Sequence, residues 1–138
     1  MKLLVDTGAL LALMMARDQH HAAAVRFVQT EPRTRFLLTN LILTEVVTRL
    51  RIRAGAERAA DAGRRLLSSP RYDVIFVDAA LTERALERMA QFDDKALSLT
   101  DCVSFEVMDR LALPAAFAFD YDFRDCGYRM VPASGAGR

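Results

Sequence analysis

The stretch KLLVDTGALLALMM, residues 2–15, decides how this chain folds. Leu3, Leu4 and Val5 form an apolar run without polar alternation, too short for a helix and closed by an acid. That is the pattern of a strand buried on both faces. A helical pattern follows at once, from Gly8 to Met15. The span from Leu3 to Ala16 is apolar enough to resemble the core of a signal peptide, but Asp6 interrupts it and it is too short to cross a bilayer. A soluble, cytoplasmic protein with no membrane segment is expected.

The same alternation continues along the chain. The spacing predicts a helix over 19–29 with Asp18 at its N-cap, then a break at Pro32 and a brief strand at 36–38. Over 40–53 a helix places Leu43, Val46, Val47 and Leu50 on one face. Gly55 separates it from a further helix that runs to Leu67 and stops at Ser68, Ser69 and Pro70. A strand over 73–77, helices over 79–91 and 100–112, a strand over 115–119 and a short last strand over 128–131 complete the pattern. Strands alternating with helices make an α/β fold, a single domain with a central parallel sheet flanked by helices on both faces. Residues 1–132 are assigned to that domain and 133–138 to a flexible tail.

A chain of 138 residues suits one domain, which buries about two-thirds of the surface its unfolded chain exposes. Hydrophobic residues make up 52% of it, which excludes disorder except at the ends. Cys102 and Cys126, with no secretion signal, are expected to be free thiols. The net charge of +1 conceals an asymmetry: residues 1–72 carry 12 basic and 6 acidic side chains, residues 73–138 carry 7 and 12. The densest basic stretch comprises Arg49, Arg51, Arg53, Arg58, Arg64, Arg65 and Arg71, opposed locally only by Glu57 and Asp61. Arginine forks match phosphate geometry, so Arg49, Arg53 and Arg58 are candidate contacts for the phosphate backbone of a nucleic acid. A solvated helical face is the competing reading.

Four acids, Asp6, Glu45, Asp101 and Asp120, stand where the local pattern is otherwise apolar. Taking a charge out of water is costly without a partner, and no basic residues sit at matching apolar positions. If the fold gathers the four, their repulsion calls for a cation, and hard divalent ions take oxygen ligands. A metal-dependent hydrolase follows as the first hypothesis. Asp6 ends the first strand, at the edge where open parallel sheets place ligands; capping the next helix is its alternative. Glu45 lies beside Leu41, Thr48 and Ile52, away from the main apolar face, and alone would read as solvated. Asp101 is not on the polar face formed by Glu106, Asp109 and Arg110 but among Phe105, Met108 and Ala112, with a capping box to Ser98 as the alternative. Asp120 follows the apolar strand AAFAF. Asp122 and Asp125 come next and either join the site or solvate a loop.

VDTGALLAL with Asp6, LTNLILTEVVTRL with Glu45, SLTDCVSFEVM with Asp101 and AFAFDYDFRDCGY with Asp120 resemble, in order, the blocks of the PIN-domain ribonucleases, and within them the VapC-type toxins of toxin–antitoxin pairs. The resemblance spans essentially the whole chain. It implies a small α/β sandwich, Mg²⁺ or Mn²⁺ held by the clustered acids, and hydrolysis of RNA phosphodiester bonds. It also implies a homodimer, and an antitoxin whose tail occupies the site. Gly8 departs from the family, where a small polar residue commonly follows the Asp-Thr pair. On this reading Asp6 and Asp101 are the principal metal ligands, Asp120 and Glu45 complete the catalytic set, and Asp122 is a further candidate. Thr7 and Thr100 are candidate donors that orient the carboxylates, with helix capping as their alternative. His20 and His21 have no partner at metal-ligand spacing and read as helix-terminal residues.

Two other functions compete. Asp-Thr-Gly at residues 6–8 also resembles the catalytic strand of retroviral-type aspartic proteases, but those are almost wholly β and would leave Glu45, Asp101 and Asp120 without purpose. A non-catalytic, metal-dependent module that binds RNA or a protein partner is the other alternative.

Overall fold

Five parallel strands form one sheet in the computed structural model, which describes residues 1–133. The strands are β1 (Lys2–Val5), β2 (Arg35–Thr39), β3 (Tyr72–Ile75), β4 (Ala116–Phe117) and β5 (Met130–Val131), and their spatial order is β3-β2-β1-β4-β5. The described helices are α1 (Thr7–Met14), α2 (His21–Thr30), α3 (Asn40–Ala54), α4 (Ala56–Ser68), α5 (Ala79–Gln91), α6 (Leu99–Arg110) and the single turn α7 (Asp122–Asp125).

The apolar run of β1 is buried on both faces because successive side chains point to opposite sides. Leu3 and Val5 enter one core with Phe36, Leu38 and Phe117, while Leu4 enters a second with Ala116 and Ala118. Helices α1 to α4 cover the first face through Leu10, Ala24, Ile42, Val46 and Leu66. Helices α5 to α7 cover the second through Leu81, Ala85, Val103, Phe105, Met108 and Phe123. The tertiary frame thus agrees with the sequence expectation of a parallel sheet flanked on both faces.

Several boundaries differ from the periodicity. The second helix begins at His21, not Gln19, because Asp18 Oδ1 accepts the His20 N–H at 2.8 Å and holds a turn ahead of the helix. Strand β4 is two residues long, although Ala118 N–H still donates to Val131 O at 3.2 Å. Helix α7 lies where only a loop was expected. The tail expected over 133–138 lies, beyond Ala133, outside the described residues. Cys102 and Cys126 are free, as anticipated. No described helix is long and apolar enough to cross a membrane.

Candidate active site

The strand order reverses direction at β1: the chain steps to β2 and β3 on one side and to β4 and β5 on the other. Open parallel sheets form their ligand crevice at such a switch point, beyond the carboxyl ends of the two strands flanking it. Asp6 directly follows β1, and Asp120 follows β4 by a short extension. The two ends are tied together, since the Asp6 backbone N–H donates to Phe117 O at 3.0 Å.

Asp6 occupies the N-cap position of α1, yet its side chain makes no capping hydrogen bond. Its carboxyl is buried, with 7% of its surface exposed, so the capping alternative does not account for it. Its pKa is pushed up to about 7, first by burial, then by the charge of Asp101, with Asp120 and Glu45 adding to the push and the Thr7 N–H partly opposing it. All three other candidate acids therefore act on Asp6, and the fold has gathered residues as far apart in the chain as 6 and 120.

Glu45 is half-buried on α3, and its Oε1 accepts the Thr7 hydroxyl at 2.7 Å. Thr7 is itself buried at the first turn of α1. This hydrogen bond joins the helix after β1 to the helix after β2, and it removes the reading of Glu45 as merely solvated. Glu45 reaches that place because α3 starts directly after β2, where Thr39 caps it by accepting Ile42 N–H at 3.2 Å.

Asp101 does two things at once. Ser98 Oγ accepts Asp101 N–H at 3.0 Å and Asp101 Oδ2 accepts Ser98 N–H at 3.2 Å, a reciprocal capping box at the start of α6. The same carboxyl is raised above the ordinary range by burial, held back by Ser98 and pushed further by the Asp120 and Glu45 charges. Capping and membership of the acidic cluster, which the sequence posed as alternatives, coexist. Ser98 rather than Thr100 is the cap, and the Thr100 hydroxyl bonds to none of the four acids among the described residues.

Asp120 is exposed and its Oδ1 accepts Asp122 N–H at 2.9 Å, which turns the chain into α7. Asp122 has a pKa raised by burial and by the Asp120 and Asp125 charges, with Lys95 opposing, so it borders the cluster through Asp120. His20 sits at the N-terminal end of α2, as its spacing predicts, and it also stacks on Phe119 with ring centroids 4.3 Å apart and planes 2° from parallel. It thereby supports the segment that carries Asp120. Nothing in its spacing could have shown this, since the partner is 99 residues away.

Among the described residues no Lys or Arg forms an ion pair with any of the four acids. No three Asp, Glu, His or Cys side chains there close into a finished cation cage; Asp101 and Asp120 each direct an oxygen to a backbone N–H. The donor set is nonetheless all oxygen, anionic and without a protein counter-charge, which suits a hard divalent ion that keeps several positions open. Gly8 is exposed and a Cβ there would touch nothing within 4 Å, so a side chain at this position would project into open space.

The arginine stretch divides into separate groups. Arg71 is structural: its guanidinium donates to Thr34 O, Val28 O and Glu31 O and lies over the Phe36 ring. Arg64 pairs with Asp61 at 3.2 Å. Arg53, Arg58 and Arg65 line a cleft of about 730 Å³ together with Arg17, whereas Arg49 is exposed outside it.

Comparison with known proteins agrees with this architecture. The family model for the PIN domain matches residues 3–127. Two curated proteins named 23S rRNA-specific endonuclease VapC20, from the CDC 1551 / Oshkosh and ATCC 25618 / H37Rv strains of Mycobacterium tuberculosis, are each 36% identical over 124 residues, which is 90% of this chain and 93% of theirs. The solved structure of M. tuberculosis VapC20, described as a sarcin–ricin loop cleaving toxin, superposes with a TM-score of 0.84 at 34% identity, covering 91% of this chain and 95% of that one. A toxin–antitoxin complex from Klebsiella pneumoniae superposes with a TM-score of 0.68 at 16% identity, covering 96% and 99%, and supports the fold alone.

Proposed function

This chain belongs to the PIN-domain family, and from that premise we propose that it is an endoribonuclease toxin that hydrolyses phosphodiester bonds of ribosomal RNA, with Asp6, Glu45, Asp101 and Asp120 holding Mg²⁺ or Mn²⁺. The observation that carries this reading is the buried Asp6 carboxyl, acted on by the three other acids and matched by no basic partner among the described residues. A parallel sheet whose Asp-Thr-Gly opens a helix is not the β architecture of an aspartic protease.

When bound, the divalent ion supplies positive charge to the phosphoryl oxygens and a lowered pKa to the attacking water. Asp6, buried at the end of β1, and Asp101, half-buried at the start of α6, serve as the principal ligands. Asp120, exposed at the rim, completes the set where substrate enters, and Asp122 extends it. Glu45 is oriented by the Thr7 hydroxyl. Substituting Thr7→Val is expected to keep the volume but free Glu45, so the metal concentration needed for half-maximal cleavage should rise about tenfold or more. An unchanged metal titration would show that this hydrogen bond only packs α1 against α3.

An antitoxin protein and a second copy of the chain are the proposed partners, and the cytoplasm is the proposed location. Ile52 and Leu67, 80% and 55% exposed on α3 and α4, support a covered surface there. The nuclease unit is taken as residues 1–132. The deciding experiment incubates purified protein with ribosomes and Mg²⁺ or Mn²⁺ and maps new RNA ends. A discrete cut in the sarcin–ricin loop of 23S rRNA is expected. RNA binding without new ends would return the chain to a non-catalytic binding module.

A further inference from the structure

Arg17, Arg53, Arg58 and Arg65 converge on one concave surface, the cleft of about 730 Å³ between the end of α1, the end of α3 and the exposed side of α4. All four are exposed, and among the described residues none is in an ion pair. Asp61 is the one acid lining the cleft, and it is held by Arg64. Arg53 makes only a weak contact, Nη1 to Met15 Sδ at 3.6 Å. Four like charges around one hollow repel each other, and a polyanion is the ligand chemistry that relieves this. The floor contributes apolar surface from Leu13 and Leu50, against which an unstacked base packs while its phosphates meet the guanidinium forks.

The position of the cleft fits the same ligand as the acids. Arg53 lies eight residues beyond Glu45 on α3, and Met14 eight beyond Asp6 along α1. At about 1.5 Å per residue each helix carries the surface about 12 Å from the acidic cluster. A nucleic-acid strand covers that distance in about three or four nucleotides at about 3.4 Å each.

We propose that this arginine cleft is a second RNA subsite, which grips the phosphates of nucleotides flanking the bond cut at the acidic cluster. It rests on the ribonuclease reading but predicts a separable property, binding without chemistry. An acidic protein segment has the charge to compete for the same surface. The four phosphate-matching forks and the spacing to the acids favour RNA.

The test measures binding of a fluorescein-labelled sarcin–ricin stem–loop RNA in EDTA over a salt series. It compares wild type, Arg53→Gln/Arg58→Gln/Arg65→Gln, and a charge-matched control, Arg26→Gln/Arg33→Gln/Arg110→Gln, whose residues are exposed elsewhere. The cleft variant should bind about tenfold or more weaker, and its log affinity–log salt slope should flatten by about 2, at about 0.7 per single-strand phosphate contact. The control should stay near wild type. Cleavage at saturating RNA with Mn²⁺ should fall little, because these contacts position the strand. Equal losses in both variants would reduce the effect to net charge and overturn the subsite. Unchanged RNA binding would overturn it too, and lost capture of a co-expressed antitoxin would then assign the cleft to a protein partner. A protein that binds in EDTA through the cleft yet cuts no RNA with metal would overturn the nuclease reading alone.

Discussion

Asp6→Asn is expected to abolish RNA cleavage, by about a thousandfold or more, while the metal-free protein melts at a higher temperature than wild type. The swap keeps shape and removes the charge that sits deepest in the cluster. A carboxyl raised from 3.8 to about 7 by burial and by its acidic neighbours holds its proton more tightly in the folded than in the unfolded state. Folded and unfolded chains are equally protonated on this group below pH 3.8, so its unfavourable contribution is absent there. It grows as pH rises through the range from 3.8 to about 7 and is constant above. Each tenfold change in proton affinity is about 1.4 kcal/mol, so the full effect is on the order of a few kcal/mol. Thermal melts in EDTA across that pH range should show wild type losing stability toward neutral pH and the Asn variant losing less. Cleavage at the wild-type rate would sink the assignment of Asp6. A variant that melts well below wild type would mean that its inactivity reflects a damaged fold.

Chelation should have the second-largest effect. Thorough EDTA treatment is expected to eliminate cleavage, Mg²⁺ or Mn²⁺ to restore it, and Ca²⁺ to restore little, since its longer and looser coordination positions water less well. Metal should also act on stability, because a cation that binds the folded cluster but not the unfolded chain stabilises by about 2.7 kcal/mol at a hundredfold excess over its dissociation constant. The gain should be greatest near neutral pH, where the unbound carboxylates repel most, and should shrink in the Asp6→Asn and Asp101→Asn variants. Differential melts with and without Mn²⁺ measure it directly. Cleavage that persists after chelation, or a melt indifferent to Mn²⁺ in wild type, would remove the metal from the proposal.

Part of the site was legible because the relevant signal is local. An acid closing a short apolar run marks the sheet edge: Asp6 directly follows β1, and Asp120 ends the apolar run that extends β4 beyond Phe117. Asp101 was visible as an acid off the polar face of its helix. Glu45 was weaker, since half-exposed helical acids are common, and its weight came only from the other three. Thr7 bonding to Glu45, His20 stacking on Phe119, and Arg17 joining Arg53, Arg58 and Arg65 across 48 residues leave no trace in spacing. Arg71 shows the converse: it reads as one more surface cation, yet it staples three backbone carbonyls ahead of β2.

The sequence by itself determined the α/β class and the order of the main helices and strands, and it singled out four candidate acids, because hydrophobic period and the cost of an unpaired buried charge act within a few residues. The tertiary structure alone decided that β1 lies between β2 and β4, and hence that the acids share one edge. It also decided that Asp101 caps its helix while facing the cluster, and that one arginine run divides into a staple, an ion pair and a cleft. Strand order and side-chain company depend on which distant surfaces pack together, and that is settled only when the two cores close over opposite faces of the sheet.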